Sequence, residues 1–561
     1  MRAISVALAG VMLAACGGAP TDADTADVAP AQQAQVGEIS ADNLATHLRI
    51  LASDEFEGRA PATPGEEKTV AYISEQFAAA GLEPAGEEGS WTQAVTLERT
   101  EIAGPVAASF TVGGEAWELA NSEDIALETL HPDGAVDLKD APLVFAGYGI
   151  TAPELEWDDY AGMDVAGKVV VVLVNDPDFE TEPGRFGGRA MTWYGRWVYK
   201  YLEAAQRGAA GVLIVHETEP AAYPWATVRN GRLAPQFDIV REDAADHHLR
   251  VRGWIQRATA ERLFADAGLD FEEAKRAAQQ EGFRAHALGD ATFSTAFDVE
   301  RSRITTRNVL GVLPGAERPD ETVIVSGHWD SFGIGEPDDT GDAIVNGAVD
   351  NATAIASMIE IARVMAEGPA PGRSVLFIAL AAEESGLLGA TYYAANPLRP
   401  LATTAAVVNM EMWSPDGPTH DISSWGLGKV SLERDLAAAA NALGRDYSTD
   451  PNLEAGLFYR ADHFAFAQAG VPAITVGPGM DQLDGGVDGG MAARAEYFAR
   501  HYHQPGDEFG DWWDMRGPTE DTEVVLELVR NVANADAWPA WDADSEFRAA
   551  REASAAERGN R

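Results

Sequence analysis

Four short apolar runs recur through the second half of the chain: ETVIVS at 321–326, VLFIALA at 375–381, AAVVNM at 405–410 and AITV at 473–476. Each is rich in β-branched residues and unbroken enough to be buried on both faces, which predicts strands inside a sheet rather than at its surface. Between them, apolar positions recur at helical spacing over 352–366, 387–395 and 431–443. Strands alternating with helices predict an α/β fold whose sheet is mainly parallel and covered on both sides.

A second pattern lies upstream. VFAGYGI, then GKVVVVLV, then YKYLEAAQRGAAGVLIVHE predict strand, buried strand, helix and strand within a block at 126–296. The predicted organisation is a main domain in two segments, 39–125 and 297–541, interrupted by this β-rich α+β insert and followed by a charged tail at 542–561. MRAISVALAGVMLAAC has a cationic start, an apolar run and small residues before Cys16, the form of a signal peptide. It is shorter than the ~20 residues that span a bilayer. Residues 17–38, rich in Ala, Asp, Pro and Gln, have no apolar period and predict a disordered linker.

Charge narrows the partners. With 89 acidic against 41 basic residues the formal net charge is -48, which argues against nucleic-acid or anionic-membrane binding through a basic face. Length points to more than one domain. Cys16 is the only cysteine, so disulfides and thiolate metal sites are excluded, and any metal must be held by nitrogen and oxygen.

The candidate chemistry sits beside the apolar runs. His328 follows the first (SGHWDS), the pair Glu383 and Glu384 follows the second (AAEESG), and Glu411 follows the third (VNMEM). Asp350 (AVDNATA) opens a helix and His503 (YHQPGDE) lies on a late loop. Strand ends place these side chains at the carboxyl edge of the sheet, where open α/β folds bind ligands. Imidazole and carboxylate suit zinc, and two histidines with three carboxylates suit two ions if one carboxylate bridges. Manganese or cobalt fits the same donors. Asp246, His247 and His248 lie in a charged segment that predicts exposure rather than a metal site.

Together these motifs resemble the co-catalytic dizinc aminopeptidase family, which also contains glutamate carboxypeptidase, glutaminyl cyclase and the transferrin receptor ectodomain. The resemblance begins at LASDEFEGRAPATPGEEKTVAYISEQFAAAGLEPAG from Leu51, resumes over 306–513, and is carried chiefly by AAEESG. It implies that Asp350 bridges two zinc ions, with His328 and Glu411 completing one site and Glu384 and His503 the other. Glu383 is then the general base toward a hydroxide bridging the two ions. Asp330 is expected to accept the second N–H of His328, and Tyr502 to polarise the substrate carbonyl. Tyr459, Arg460, Asp462 and His463 (LFYRADH) resemble the segment that lines the substrate pocket and supports the metal shell, with Arg460 open to either a substrate carboxylate or a nearby acid. Glu411 stands where Asp is common, Val349 where an Asp often precedes the bridge, and Thr353-Ala354 where Ser-Gly is usual; none of these removes a ligand.

The block at 126–296 resembles the protease-associated domain inserted in secreted members. LAAC resembles a lipobox, implying lipidation of Cys16 and export to the outer membrane, facing the periplasm or the surface. The expected function is a zinc exopeptidase, an aminopeptidase acting on peptides. The rivals are a carboxypeptidase or dipeptidase using Arg460, a glutaminyl cyclase, and a non-catalytic receptor-like binding module. Oligomeric state is not legible.

Overall fold

The computed structural model describes residues 37–181, 184–338 and 340–558. The signal peptide, Cys16 and all but the last two residues of the predicted linker lie outside the described residues. No described helix is long and apolar enough to cross a membrane.

The chain opens with α1 (Ala41–Leu51), capped by the Ser40 hydroxyl accepting from the Asn43 N–H, and α2 (Pro64–Ala79), which starts on proline. Both starts follow from side chains that satisfy or dispense with a free amide. A long strand, β1 (Thr92–Val112), leads into the inserted block. There β2 (Ala135–Phe145), β3 (Val169–Leu173), α3 (Trp197–Gln206), β4 (Gly211–His216), β5 (Gln236–Ile239) and β6 (Val251–Gln256) follow. β7 (His286–Leu313) returns antiparallel to β1, Thr292 opposite Thr111 and Val309 opposite Thr92. Then come β8 (Arg318–His328), α4 (Thr353–Glu367), β9 (Arg373–Leu380), α5 (Leu388–Ala395), β10 (Thr404–Met410), β11 (Ala473–Pro478), α6 (Gly486–Arg500) and α7 (Arg516–Asn534).

One sheet runs through in the order β11, β10, β8, β9, β7, β2, β3, β4, β6. β8 lies between β10 and β9 and parallel to both, and β11 is parallel to β10. β2, β3, β4 and β6 are likewise mutually parallel, while β7 is antiparallel to its neighbours β9 and β2. The fold is thus α/β with a mainly parallel sheet. From Gly37 onward the chain forms one compact unit, the inserted block included.

The unbroken apolar runs pack as period two requires. Val169, Val171 and Leu173 face one core of the inserted block, and Val170, Val172 and Val174 face another, because successive side chains point to opposite sides of a strand. In β8, β9 and β10 both faces are likewise covered: Ile324, Val325, Leu376, Phe377, Val407 and Val408 are all buried.

The end of the chain departs from the predicted charged tail. Trp541 and Phe547 are buried, Trp541 donating to the Gly470 carbonyl at 2.9 Å, and the buried Arg551 donates to the Thr404 carbonyl at 2.9 Å. Phe547 gives the tail something to bury against Trp541, which directly precedes the tail, and Arg551 satisfies carbonyls at the start of β10.

Candidate metal centre

His328 is the last residue of β8, and Glu411 follows β10 directly. Glu383 and Glu384 follow β9 after a turn in which Ala382 is left-handed. Asp350 lies in an interrupted helical turn before α4, and His503 on the loop after α6. Gly347 permits that turn: a Cβ there would meet the Asp350 carbonyl at 2.4 Å and the Ser331 hydroxyl at 2.6 Å.

These elements bring the six side chains together. Asp350 places Oδ1 at 3.2 Å from His328 Nε2 and Oδ2 at 3.3 Å from His503 Nε2. Glu411 Oε2 is 3.4 Å from His328 Nε2, and Glu384 Oε2 is 3.2 Å from His503 Nε2. Two triads share Asp350, His328–Asp350–Glu411 and Asp350–Glu384–His503, each with its donor atoms within 4.8 Å of one another, and His328, Glu383 and Glu384 form a third group of the same spread. Glu383 Oε2 stands 4.0 Å from His328 Nε2, outside both Asp350 triads.

The donor set fits divalent metal. Glu384 Oε1 and His503 Nε2 are buried without a hydrogen-bond partner, and buried polar groups are ordinarily satisfied. Burial, then the charge of Asp350, pushes the Glu384 carboxyl up to about 7. Burial alone would lower the His328 imidazole, yet the Glu411 and Glu383 carboxylates hold it well above its usual value. His503 likewise rises to about 9: burial opposes, but Asp350 and Glu384 prevail. Carboxylates crowded in a buried site require cations nearby.

A ring of hydrogen bonds fixes the donors. Glu411 accepts from Asn351 at 2.6 Å and from Asn409 at 3.1 Å. Asp507 accepts from the Val349 and Asp350 N–H groups at 2.9 and 3.1 Å and from the Tyr497 hydroxyl at 3.1 Å. His503 is flanked by the rings of Tyr502, centroids 3.6 Å apart, and Phe332, 4.3 Å. Of these supports the sequence reading found only Tyr502. Asn351 and Asn409 adjoin or nearly adjoin predicted ligands, a usable signal; Asp507, in the QPGDE motif, was overlooked.

Two predicted roles change, those of Asp330 and Tyr459, and His463 takes the structural one of its two expected roles. The Asp330 carboxylate accepts from the Glu383 and Glu384 N–H groups at 3.1 and 3.3 Å, while its backbone carbonyl faces His328 Nδ1 at 3.1 Å. The carboxylate lies 3.8 Å from that nitrogen, so it anchors the glutamate turn instead. Tyr459 donates its hydroxyl to Glu546 at 2.9 Å and is committed there. His463 is fully buried, with Nδ1 2.6 Å from the Thr475 hydroxyl, and burial pushes it down to about 3, a structural histidine. Asp462 beside it is fully buried with both oxygens unpaired, and burial followed by the Glu411 charge, against His328, leaves it well above the usual carboxylate range.

His247 and His248 are less exposed than predicted, because Asp238, ten residues before His248, accepts from its Nε2 at 2.8 Å. Arg241 Nε lies 2.7 Å from the same oxygen, so a cation already occupies that carboxylate.

Residues 308–529 match peptidase family M28. The matched stretch is similar to an M28 peptidase segment. It spans His328 to His503 and therefore every candidate ligand. A probable zinc metalloprotease of Pyrenophora tritici-repentis is 30% identical over 272 residues, 42% of this chain and 58% of that protein. Aminopeptidase NAALADL1 of Mus musculus is 36% identical over 114 residues, 19% of this chain and 14% of that one. The chain spans about half the length of the first curated relatives it matches, 58%, 50% and 54%. Among solved structures, an aminopeptidase from Aneurinibacillus sp. strain AM-1 covers 89% of this chain, with 96% of its own length matched, at 20% identity and a TM-score of 0.49.

Proposed function

We propose that the chain is a zinc metallopeptidase that removes residues from the N-terminus of peptides. One observation carries the reading: Asp350 offers one oxygen to each of two imidazoles, 3.2 Å from His328 and 3.3 Å from His503. Two zinc ions sharing a carboxylate need that arrangement, His328, Asp350 and Glu411 holding one ion and Asp350, Glu384 and His503 the other. Bound there, zinc supplies a Lewis acid and lowers the pKa of water.

The protein's own groups do the rest. Glu383 is partly buried and outside both Asp350 triads; desolvation, then the charges of Glu384 and Glu411, against His328, raises its carboxyl well above the usual range. It takes the proton of the attacking water and returns it to the leaving nitrogen. Asp330 holds the Glu383 and Glu384 N–H groups so that the two carboxylates diverge. Burial, then the charges of Asp350 and Glu384, keeps the Tyr502 phenol protonated, so it donates a hydrogen bond to the scissile carbonyl as negative charge develops there. The names of the relatives agree with this chemistry.

A second reading, carboxypeptidase or dipeptidase, is favoured by two arginines. Arg196, from the inserted block, and Arg460 each bury an Nε without a hydrogen-bond partner among the described residues, and Arg196 Nη1 lies 4.0 Å from the Met191 sulfur. Burial and the charge of Arg460 lower Arg196 to about 9, so among the described residues two neighbouring cations have no anion beside them, a place that a substrate carboxylate would fill. Cleavage of one peptide with its N-terminus free or acetylated separates the readings. Stepwise loss from the free peptide alone supports the aminopeptidase. Equal C-terminal cleavage of the acetylated peptide replaces it with the second reading. From the sequence alone we further propose a lipid anchor at Cys16 that holds the enzyme outside the cytoplasm, and a protease-associated role for the insert in limiting substrate access.

A further inference from the structure

Arg59 joins three stretches of chain that meet behind the metal centre. It is 1% exposed, and its guanidinium donates four hydrogen bonds: Nε to the Trp329 carbonyl at 2.8 Å, Nη1 to the carbonyls of Leu51 at 2.7 Å and Asn346 at 2.6 Å, and Nη2 to that of Gly347 at 2.8 Å. Trp329 directly follows His328, and Asn346 and Gly347 lead into Asp350. One planar group thus ties the loop after the first ligand to the loop before the bridging ligand, and both to the end of α1. A guanidinium can do this because its five donors are fixed in one fork.

Among the described residues no carboxylate pairs with the group. Burial lowers it to about 10, against the charges of Asp507, Asp330, Asp350 and Glu384. These are the carboxylates of the metal centre and of its immediate supports, so Arg59 also supplies positive charge behind them.

The backbone beneath Arg59 is held in an uncommon form. Glu57, Gly58 and Arg59 have φ of 52°, 63° and 52° in succession, a left-handed run that side-chain-bearing residues adopt only when their surroundings impose it. A Cβ on Gly58 would meet the Val345 carbonyl at 2.5 Å and the Gly333 carbonyl at 2.7 Å. The segment is therefore pressed against both ends of the loop that leads to Asp350, and Arg59 closes the contact.

We propose that Arg59 is a positioning residue for the metal pair: it keeps the His328 and Asp350 loops at the separation that lets Asp350 face both imidazoles, and without it the protein loses metal before it loses its fold. This rests on the two-zinc reading above.

The test measures zinc retention by the full chain against a graded competing chelator, together with Tm in saturating zinc and without zinc. Arg59→Met should weaken zinc binding by about 10- to 100-fold, the range seen when groups that orient ligands are removed. Its stabilisation by zinc should shrink in step. Arg59→Lys should fall between, because an ammonium keeps the charge but cannot bridge the same carbonyls. Gly58→Ala, which leaves Arg59 in place and displaces its segment, should also lose zinc and carries the test if Arg59→Met does not fold. The control is Arg373→Met: Arg373 is fully buried and donates to Glu321 and the Val532 carbonyl, both at 2.7 Å, so its loss should lower Tm with zinc affinity unchanged. Zinc affinity within about twofold of wild type in Arg59→Met, or in Gly58→Ala if the former is unfolded, overturns the inference, since the expected loss is at least about tenfold. A wild-type protein that retains no zinc overturns the metal centre as well, which separates the two failures.

Discussion

Glu383 and Glu384 are adjacent, yet only Glu384 joins a triad with Asp350, because Asp330 accepts both of their N–H groups and fixes the turn between them. The two carboxylates therefore have separable losses. Glu383→Gln should lower kcat by about 10²- to 10⁴-fold, the contribution of a positioned general base, while zinc content by elemental analysis stays at the wild-type value. Loss of zinc in that variant would make Glu383 a ligand. Asp330→Ala strands two buried N–H groups and should lower kcat while His328 keeps its backbone partner, the Asp330 carbonyl. The six principal residues were legible because each adjoins an apolar run or a short motif. Asp330 was expected to make a different bond: spacing places it near His328, but its carboxylate turns toward the loop after β9, two residues beyond the end of β8, where no strand periodicity applies. Arg59 and Asp507 act on partners more than a hundred residues away, and no local pattern announces such pairs.

At the scale of elements, the predicted strands and helices of the second half are present with boundaries shifted by a few residues, because their apolar runs are long and continuous. α2 reaches the sheet through Phe77, whose ring lies 6.3 Å from that of Phe377 in β9, both fully buried. Phe377→Ala should destabilise the protein by about 3 to 5 kcal/mol through transfer and cavity terms, read as a lower denaturant midpoint. In the inserted block, buried Asp176 accepts from the N–H and hydroxyl of Thr192 at 2.9 and 3.0 Å and ties down the loop that carries Arg196. Burial, against the charge of Lys200, pushes the Asp176 carboxyl up to about 6. Its folded pKa is above the unfolded value, so the folded state binds the extra proton and this group's contribution falls as pH rises from about 4 to about 6. Asp176→Asn removes that titration while keeping a partner for Thr192. The Tm of Asp176→Asn relative to wild type should therefore rise over this window and level off above it; a difference independent of pH would contradict the assignment.

Across the whole molecule, the sequence division into a main domain and an insert meets a single sheet in which β7 joins both, an outcome that local periodicity does not reveal. The burial of Phe547 and Arg551 was equally hidden, since a charged, Ala-rich stretch gives no sign that two of its side chains dock. The formal charge of -48 acts on the molecule as a whole. Raising salt from about 0.1 M to about 1 M shortens the Debye length from about 10 Å to about 3 Å, so self-repulsion weakens and Tm in sodium chloride should rise. A flat or falling Tm would show that local ion pairs outweigh the net charge.

The central claim is that Asp350 bridges two metal ions between His328 and His503. The direct measurement is anomalous diffraction at the zinc edge from crystals grown with zinc. Two peaks roughly 3.5 to 4 Å apart, one beside His328 and Glu411, one beside His503 and Glu384, with an Asp350 oxygen on each, is the predicted result. A single peak, no peak, or two peaks with Asp350 bound to only one would contradict it.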